Sequence, residues 1–393
     1  MMKTRNAPRQ AGGRKQMPKN SYLLETEDAE RINRSIGENV NGRIVLPLLG
    51  SPRKGDCRNL FRVLLTEEGK RLLSCAKTEE HFLSDAYSDY ENFVELLCLL
   101  PSLVGSGYHR FVRLTFEALL DFTDIPAKGD AEALWKSSLP FLRDGAFDDL
   151  LSPFTVKRSV DVSPRVYPSK ENLLQYESLG AYISAYREKT EGASMVWLDL
   201  SALDFASPDP YHAEQGFLLV KEGSGDARGQ AYLSSQLLRV TGEICKVNGI
   251  PLILYGTFSV SVVRDLLQYL DRTDRKPHLF YAMSWGDGQA LARDFDALED
   301  AGLITELCGI LPQRLPYCSA TALSEGLRLS AMRYPLGRLL FVAEGTTEAE
   351  VRIGYEGFKR VLSGILAESV QKLEISEEEA VALGERILTA EAF

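Results

Sequence analysis

Short apolar runs alternate along this chain with longer segments in which apolar residues recur at helical spacing. Eight runs have the length of a β-strand, at residues 43–49, 154–162, 195–200, 217–221, 251–256, 278–285, 303–308 and 339–344. A helix-patterned segment separates most of them, as residues 231–249 do before the run at 251–256. Nearly continuous apolar strands that alternate with amphipathic helices predict a parallel sheet covered by helices.

The number of strand-like runs selects an architecture within this α/β class. Eight parallel strands, each followed by a helix, predict a closed (β/α)8 barrel, the TIM barrel. An open doubly wound sheet is the alternative, but no glycine-rich dinucleotide loop follows the first run. In a barrel, the polar residues at the carboxyl ends of the strands form the functional site.

Two parts of the chain lie outside this alternation. Residues 59–150 follow the first run and are patterned mostly as helices, which predicts a helical insertion that covers the barrel mouth as a lid. The first twenty residues hold six Lys or Arg and no acid, and they lack the apolar segment of a secretory signal. We therefore predict a disordered basic tail at residues 1–22 and one barrel unit at residues 23–393.

Composition and charge narrow the class of partner. The 393 residues carry 45 Lys and Arg against 55 Asp and Glu, a net charge of −10. This charge disfavours non-specific binding to nucleic acid or to an anionic membrane, and no apolar run has the length of a membrane span. None of the six cysteines forms a zinc or redox motif, so we expect buried free thiols, Cys98 and Cys245 among them, and a cytoplasmic protein. The oligomeric state is open, and a homo-oligomer is one option.

Residues 338–393 carry the most specific pattern in the chain. A buried strand ends at Glu344, a Gly-Thr-Thr turn follows, and the second of two helices begins with a capping box formed by Ser376 and Glu379. This segment resembles the close of the metal-dependent amidohydrolases, including their uronate isomerase branch, whose last strand ends in Gly-Thr/Ser-Asp. Glu344 stands at the position of the family's Asp metal ligand. The likeness of layout covers most of residues 43–393.

The resemblance implies a divalent metal, zinc or manganese, held by imidazole and carboxylate ligands. In the family, a His-x-His pair ends the first strand, and single histidines end two later strands. This chain has four histidines, His81, His109, His212 and His278, and none lies within thirty residues of the first run. We assign no metal ligand, and the metal is an implication of the resemblance alone.

Three residues are candidate catalytic groups. Glu344 can act as a general base, or its carboxylate can be fixed by neighbouring groups. Lys221 ends the run at 217–221, which we interpret as the fourth strand, where the family has a bridging lysine; an exposed lysine is the alternative. Tyr255 stands at the position of the family's fifth-strand histidine, as a hydrogen-bond donor or a pocket wall.

Other polar residues at predicted strand ends are candidates for substrate binding. Arg53, Arg165 and Arg314 can each bind a carboxylate bidentately, as the recognition of a uronate requires, and ordinary surface charge is the alternative for each. Asp287 follows the sixth predicted strand and completes the set. His109, on the predicted lid, is either a substrate contact or a structural histidine.

Three hypotheses follow from these residues. The first is a hydrolase or uronate-isomerase-like enzyme with a divergent metal site, acting on a small polar substrate such as a sugar acid. The second is a catalytically inactive barrel that binds a ligand or a partner. The third is an unrelated barrel enzyme in which Glu344, Lys221 or Tyr255 performs acid–base chemistry without a metal. Because barrels host many chemistries, the predicted fold does not choose among them.

Overall fold

The computed structural model describes the chain in separate stretches. These are residues 26–40, 45–47, 58–76, 87–124, 126–143, 154–157, 159–161, 173–193, 195–199, 210–223, 227–255, 279–281, 320–333 and 345–389, with Ala292, Arg293, Asp296, Glu299, Leu339 and Phe341. The predicted tail at residues 1–22 and the predicted strand at residues 303–308 lie outside these stretches.

Short parallel strands form two sheets in the described chain. They are β1 (Val45–Pro47), β2 (Thr155–Lys157), β3 (Ser159–Asp161), β4 (Met195–Asp199), β5 (Leu252–Tyr255) and β6 (Leu279–Tyr281). β1 pairs with β2, while β3, β4, β5 and β6 pair in that order, and every pairing is parallel. Because one residue separates β2 from β3, residues 155–161 border β1 in their first half and β4 in their second. Five of the eight predicted strand runs are thus confirmed.

Strands β4 and β5 are buried on both faces. Val196, Leu252 and Leu254 belong to a core that is shared with the surrounding helices. Trp197 and Ile253, which are register partners, lie at alternating positions and are also buried. Since successive side chains of a strand point to opposite faces, the two sets lie on opposite faces of the sheet. Burial on both faces explains why these strands appear in the sequence as continuous apolar runs.

Helices occupy most of the described chain. They are α1 (Glu27–Val40), α2 (Leu60–Leu64), α3 (Glu67–Ala76), α4 (Asp89–Leu99), α5 (Gly107–Leu120), α6 (Ala131–Arg143), α7 (Leu179–Glu191), α8 (Pro210–Glu222), α9 (Ala227–Asn248), α10 (Ala320–Arg333), α11 (Glu348–Gln371) and α12 (Glu377–Thr389). Helices α2 to α6 confirm the helical character of the described part of residues 59–150. None of the described helices is long and apolar enough to cross a membrane.

The strand predicted at residues 217–221 is wrong, because these residues lie in α8. Leu218 is 46% exposed whereas Phe217 is fully buried, so the apolar run is partly in contact with solvent. Helix α8 packs closely against α9 at Gly216. A Cβ on Gly216 would lie 2.3 Å from the carbonyl oxygen of Gly229 in α9. The packed face of α8 follows the helical spacing i, i+3, i+4, i+7 at Ala213, Gly216, Phe217 and Val220.

Two hydrophobic cores share helix α11. The main core joins strands β4 and β5 to α1, α7, α8, α9, α11 and α12. The insertion core is formed by the helices of residues 59–150, and Ala349 and Ile353 of α11 complete it. Val351 and Tyr355, each two residues after one of these, belong to the main core, so α11 contacts both cores over the same turns. The helical insertion is therefore packed directly against the first turns of α11.

Charged side chains reinforce the contact between α5 and α11. Glu117 of α5 forms an ion pair with Arg360 of α11, and the two side chains are only 5% and 13% exposed. On the same helix, Glu356 pairs with Lys359 at 2.9 Å and with Arg352 at 3.1 Å. Burial by itself raises the pKa of Glu356, but the two cations outweigh it and hold that pKa below its ordinary value.

Helix α1 was not predicted, and it packs against the other end of the chain. Ile32 and Ile36, both fully buried, lie in the main core with α11 and α12. On the polar side, the Arg31 guanidinium donates two hydrogen bonds to the carboxylate of Glu377, at 2.7 and 2.8 Å. Gly384 of α12 lies so close that a Cβ there would be 2.3 Å from Cδ1 of Ile36.

Candidate functional site

The carboxyl ends of β4 and β5 bring two polar residues together. Asp199 is the last residue of β4, Tyr255 is the last residue of β5, and the two are register partners. Positions 199 and 255 lie two residues after the register partners Trp197 and Ile253. Asp and Tyr are residue types that bind polar ligands, so this pair of strand ends is a candidate binding position.

Tyr255 is confirmed as a strand-end residue, but its predicted place in the strand order is wrong. β5 pairs directly with β4, because the run that we interpreted as the strand between them is α8. Tyr255 therefore ends the strand that pairs with β4, and its match to the family's histidine position stays a prediction. Its role as a catalytic residue stays a prediction, now with Asp199 as its neighbour.

Lys221 lies in a helix rather than at a strand end. It is in the last turn of α8, where its Nζ donates a hydrogen bond of 2.6 Å to the carbonyl oxygen of Tyr176. The same ammonium group lies 5.6 Å from the ring centroid of Phe217. Both contacts are of the kind that fasten a helix end to its surroundings. A catalytic role for Lys221 stays a prediction, without the strand-end position that motivated it.

Glu344 lies outside the described residues, but the segment after it is well defined. The predicted turn is followed by α11, and its second threonine, Thr347, caps that helix in a box with Glu350. The predicted capping box of the next helix is confirmed, because the amide of Ser376 donates to Glu379 at 2.8 Å and the amide of Glu379 donates back at 3.1 Å. Helix α11 thus follows the predicted turn, as the sequence pattern indicates.

The four predicted substrate-binding residues lie outside the described residues. These are Arg53, Arg165, Asp287 and Arg314. Their role in binding a carboxylate therefore stays a prediction.

His109 is a buried residue of α5, 7% exposed, and Ser106 caps the start of its helix. Burial lowers the pKa of its imidazole, and the neighbouring guanidinium groups of Arg113 and Arg110 lower it further. The predicted burial of the thiols is confirmed for Cys245, where burial raises the pKa to about 12. It is wrong for Cys98, which is exposed on α4 because it lies on the face opposite the insertion core.

The described residues of this chain do not include the ligand set that the resemblance to the amidohydrolases implies. Within the described stretches, no three His, Cys, Asp or Glu side chains are grouped closely enough to hold an ion. The described strand ends carry Asp199 and Tyr255 in place of imidazoles, and a phenol is a poor ligand for zinc. The sequence adds no histidine near the first strand. The reaction proposed for this chain therefore uses only the protein's own side chains.

Sequence reasoning missed Glu350, which lies six residues after Glu344. One of its carboxylate oxygens accepts hydrogen bonds from the amide and the hydroxyl of Thr346, both at 2.6 Å, and from the amide of Thr347 at 3.1 Å. The signal was available, because Thr347 and Glu350 have the capping-box spacing that Ser376 and Glu379 also have.

Parallel strands that pair in chain order, together with the helices around them, define an α/β fold in the described part of the chain. Solved structures with the same fold include the uronate isomerase of Thermotoga maritima, with a TM-score of 0.70 and 14% identity over 93% of this chain and 96% of that one. The glucuronate isomerase of Caulobacter crescentus matches equally well, at 0.70 and 14% over 94% of both chains.

A protein of Lactobacillus casei that is assigned to the metal-dependent hydrolases has a TM-score of 0.55 and 14% identity over 90% of this chain and 96% of its own. No family model and no curated protein sequence matches this chain. The resemblance to the amidohydrolases and their uronate isomerase branch is thus confirmed as a likeness of fold.

Proposed function

We propose that this protein binds a small sugar acid at the carboxyl ends of its parallel strands, within a closed (β/α)8 barrel. The observation that carries the proposal is the shared fold with two uronate isomerases over at least 93% of this chain. Parallel barrels bind their substrates at this end, and the described strand ends here carry a carboxylate and a phenol, Asp199 and Tyr255.

The proposed reaction is the interconversion of an aldehyde-bearing sugar acid and its keto isomer. A base removes the proton from the carbon next to the aldehyde, and the resulting enediol is reprotonated at the former aldehyde carbon. The proton of the neighbouring hydroxyl moves to the former carbonyl oxygen, so that no atom is gained or lost. In this proposal Glu344 is the base, and Tyr255, with Asp199 beside it, donates to the carbonyl oxygen.

Isomerisation is favoured over hydrolysis, because two structures that match this chain with a TM-score of 0.70 are isomerases, whereas the metal-dependent hydrolase matches with 0.55. Proton transfer between adjacent carbons needs a base and an acid, which a carboxylate and a phenol supply. The arginines Arg53, Arg165 and Arg314 are proposed to hold the carboxylate of the substrate.

Binding without turnover is a second candidate, and it is favoured by the missing histidines. Two imidazoles on one face of the first strand are the most specific ligands of the metal centre that the resemblance implies. This chain has no histidine near its first strand. A barrel with an intact pocket and no metal centre can still bind a sugar acid as a sensor or carrier.

One experiment separates the candidates. The purified full chain is mixed with D-glucuronate, binding is measured by calorimetry, and conversion to the keto acid is followed by NMR. The isomerase proposal expects binding and conversion, and in Glu344→Gln it expects loss of conversion with binding retained. Binding without conversion establishes the second candidate. Absence of binding in the wild-type chain contradicts both.

A further inference from the structure

Five charged side chains form a cluster where α11 meets the helical insertion. Glu356 pairs with Lys359 at 2.9 Å and with Arg352 at 3.1 Å, and Arg360 pairs with Glu117 of α5. The charge of Arg360 also acts on the carboxyl group of Glu356, which joins the two sets of ion pairs. The exposure of the five side chains runs from 5% to 26%. We call these residues the α11 charge cluster.

The α11 charge cluster holds more positive than negative charge. Three of its members are cations and two are carboxylates, so one positive charge has no counter-charge within the cluster. Burial raises the pKa of Glu356, but the surrounding cations outweigh burial and lower that pKa, so this carboxyl group is ionised at neutral pH. Withdrawing charge from water is costly unless an opposite charge compensates it. An added anion would provide that compensation.

Arg352 is the most exposed member of the cluster, and a solute can reach it. Its guanidinium lies over the ring of Phe154, 4.9 Å from the ring centroid, and its Nη2 is 3.1 Å from Oε1 of Glu356. These are its contacts in the part of the chain that the structure describes. A guanidinium carries five N–H donors in one plane, and an aromatic ring beneath it holds that plane in position. The donors that do not contact Glu356 can therefore bind an anion.

The hydroxyl of Tyr355 is a second donor beside this guanidinium. Tyr355 is 1% exposed, and its hydroxyl has no hydrogen-bond partner within the described residues. The hydroxyl interacts electrostatically with Glu356 and Arg352, and the ammonium group of Lys359 lies 5.7 Å from the ring centroid. Burial raises the pKa of this phenol, so it keeps its proton and remains a donor. A buried donor without an acceptor is destabilising.

We propose that Arg352, Lys359 and Tyr355 form a binding site for a small inorganic oxyanion of the phosphate type. The oxyanion balances the surplus positive charge of the α11 charge cluster, and its oxygens accept hydrogen bonds from the guanidinium and from the buried hydroxyl. A water molecule would supply an acceptor but no negative charge. The proposal does not depend on the proposed function, because it uses none of the residues assigned to the reaction.

Calorimetry of the full chain with inorganic phosphate, at constant ionic strength, tests the site. We expect Arg352→Gln to weaken phosphate binding about 10-fold or more, and Tyr355→Phe to weaken it about fivefold. Arg328→Gln is the matched control, because Arg328 also pairs with a glutamate of α11, Glu368, but is 52% exposed. This control should bind phosphate as the wild type does. Far-UV circular dichroism checks the fold of each variant, and Tyr355→Phe, which removes one oxygen atom, carries the test if Arg352→Gln does not fold.

Glu356→Gln separates a binding site from damage to the packing. This change removes a negative charge beside Arg352 and Lys359, so the surplus positive charge grows and phosphate should bind about fivefold more tightly. Disturbed packing would instead weaken binding. The proposal is overturned if the wild type shows no heat of phosphate binding, if Arg352→Gln and Arg328→Gln weaken binding equally, or if Glu356→Gln binds phosphate less tightly than the wild type.

Discussion

The buried ion pair between Glu117 and Arg360 tests how the helical insertion is attached. Glu117→Ala removes the carboxylate and leaves a guanidinium that is 13% exposed at the contact of α5 with α11. Removing one partner of a buried pair costs about 3–5 kcal/mol, because the other charge stays desolvated. Replacing both, as Glu117→Leu with Arg360→Met, should cost far less, since neither charge is then buried.

An exposed ion pair serves as the comparison for this loss of stability. Arg187 of α7 and Glu243 of α9 are 3.1 Å apart, and their side chains are 42% and 43% exposed. A surface pair of this kind contributes about 0–1 kcal/mol, so Glu243→Ala should have little effect. The difference of several kcal/mol between the two alanine variants is large enough to measure.

Urea unfolding is followed by circular dichroism for the secondary structure and by proteolysis for residues 59–150. We expect Glu117→Ala to lower the free energy of unfolding and to expose the insertion to protease first, with the double variant close to the wild type. Equal losses in Glu117→Ala and Glu243→Ala would refute the reasoning. A double variant that is less stable than either single one would also refute it.

Two further predictions concern stability. Gly69→Ala places a methyl group 2.5 Å from Cε2 of the buried Tyr108 ring and should lower the free energy of unfolding by about 1–3 kcal/mol. Gly364→Ala meets nothing within 4 Å and should raise the free energy of unfolding by about 0.5–1 kcal/mol. Equal melting temperatures of the two variants would contradict this. Because the pKa of Glu356 is lowered from 4.5, its stabilising effect is complete above pH 4.5 and is lost as the pH falls further. In Glu356→Gln, the free energy of unfolding in urea should therefore fall less steeply as the pH is lowered. A pH dependence equal to that of the wild type would contradict this role of Glu356.

Strands were predictable where they are buried on both faces. The runs that became β4 and β5 are continuous because Val196 and Trp197 face opposite sides and both lack exposure. The same reasoning failed at residues 217–221, where the apolar run is one and a half turns of α8. Its helical period appears only when the window includes Ala213, which lies among polar residues.

The candidate site was predictable in part. The strand-end position of Tyr255 follows from the apolar run and the glycine after it. Asp199 is also a polar residue at a predicted strand end, but its pairing with Tyr255 was not predictable, because that pairing depends on which of the intervening runs is a strand. Glu350 has a readable capping spacing, but its bonds to Thr346 depend on the path of the turn. Helix α1 was missed although its signal was present, because its buried residues Ala29, Ile32, Ile36 and Val40 recur at helical spacing in the sequence.

The packing of α1 has a consequence for synthesis of the chain. Arg31 and Glu377, which bond in the folded protein, are 346 residues apart in sequence. A ribosome makes an amino-terminal segment first, so α1 emerges long before the helices that bury Ile32 and Ile36. Until residues 348–389 have been translated, the apolar face of α1 lacks the helices α11 and α12 that bury it in the folded protein. The first of the described helices to be made is therefore among the last to reach its final place.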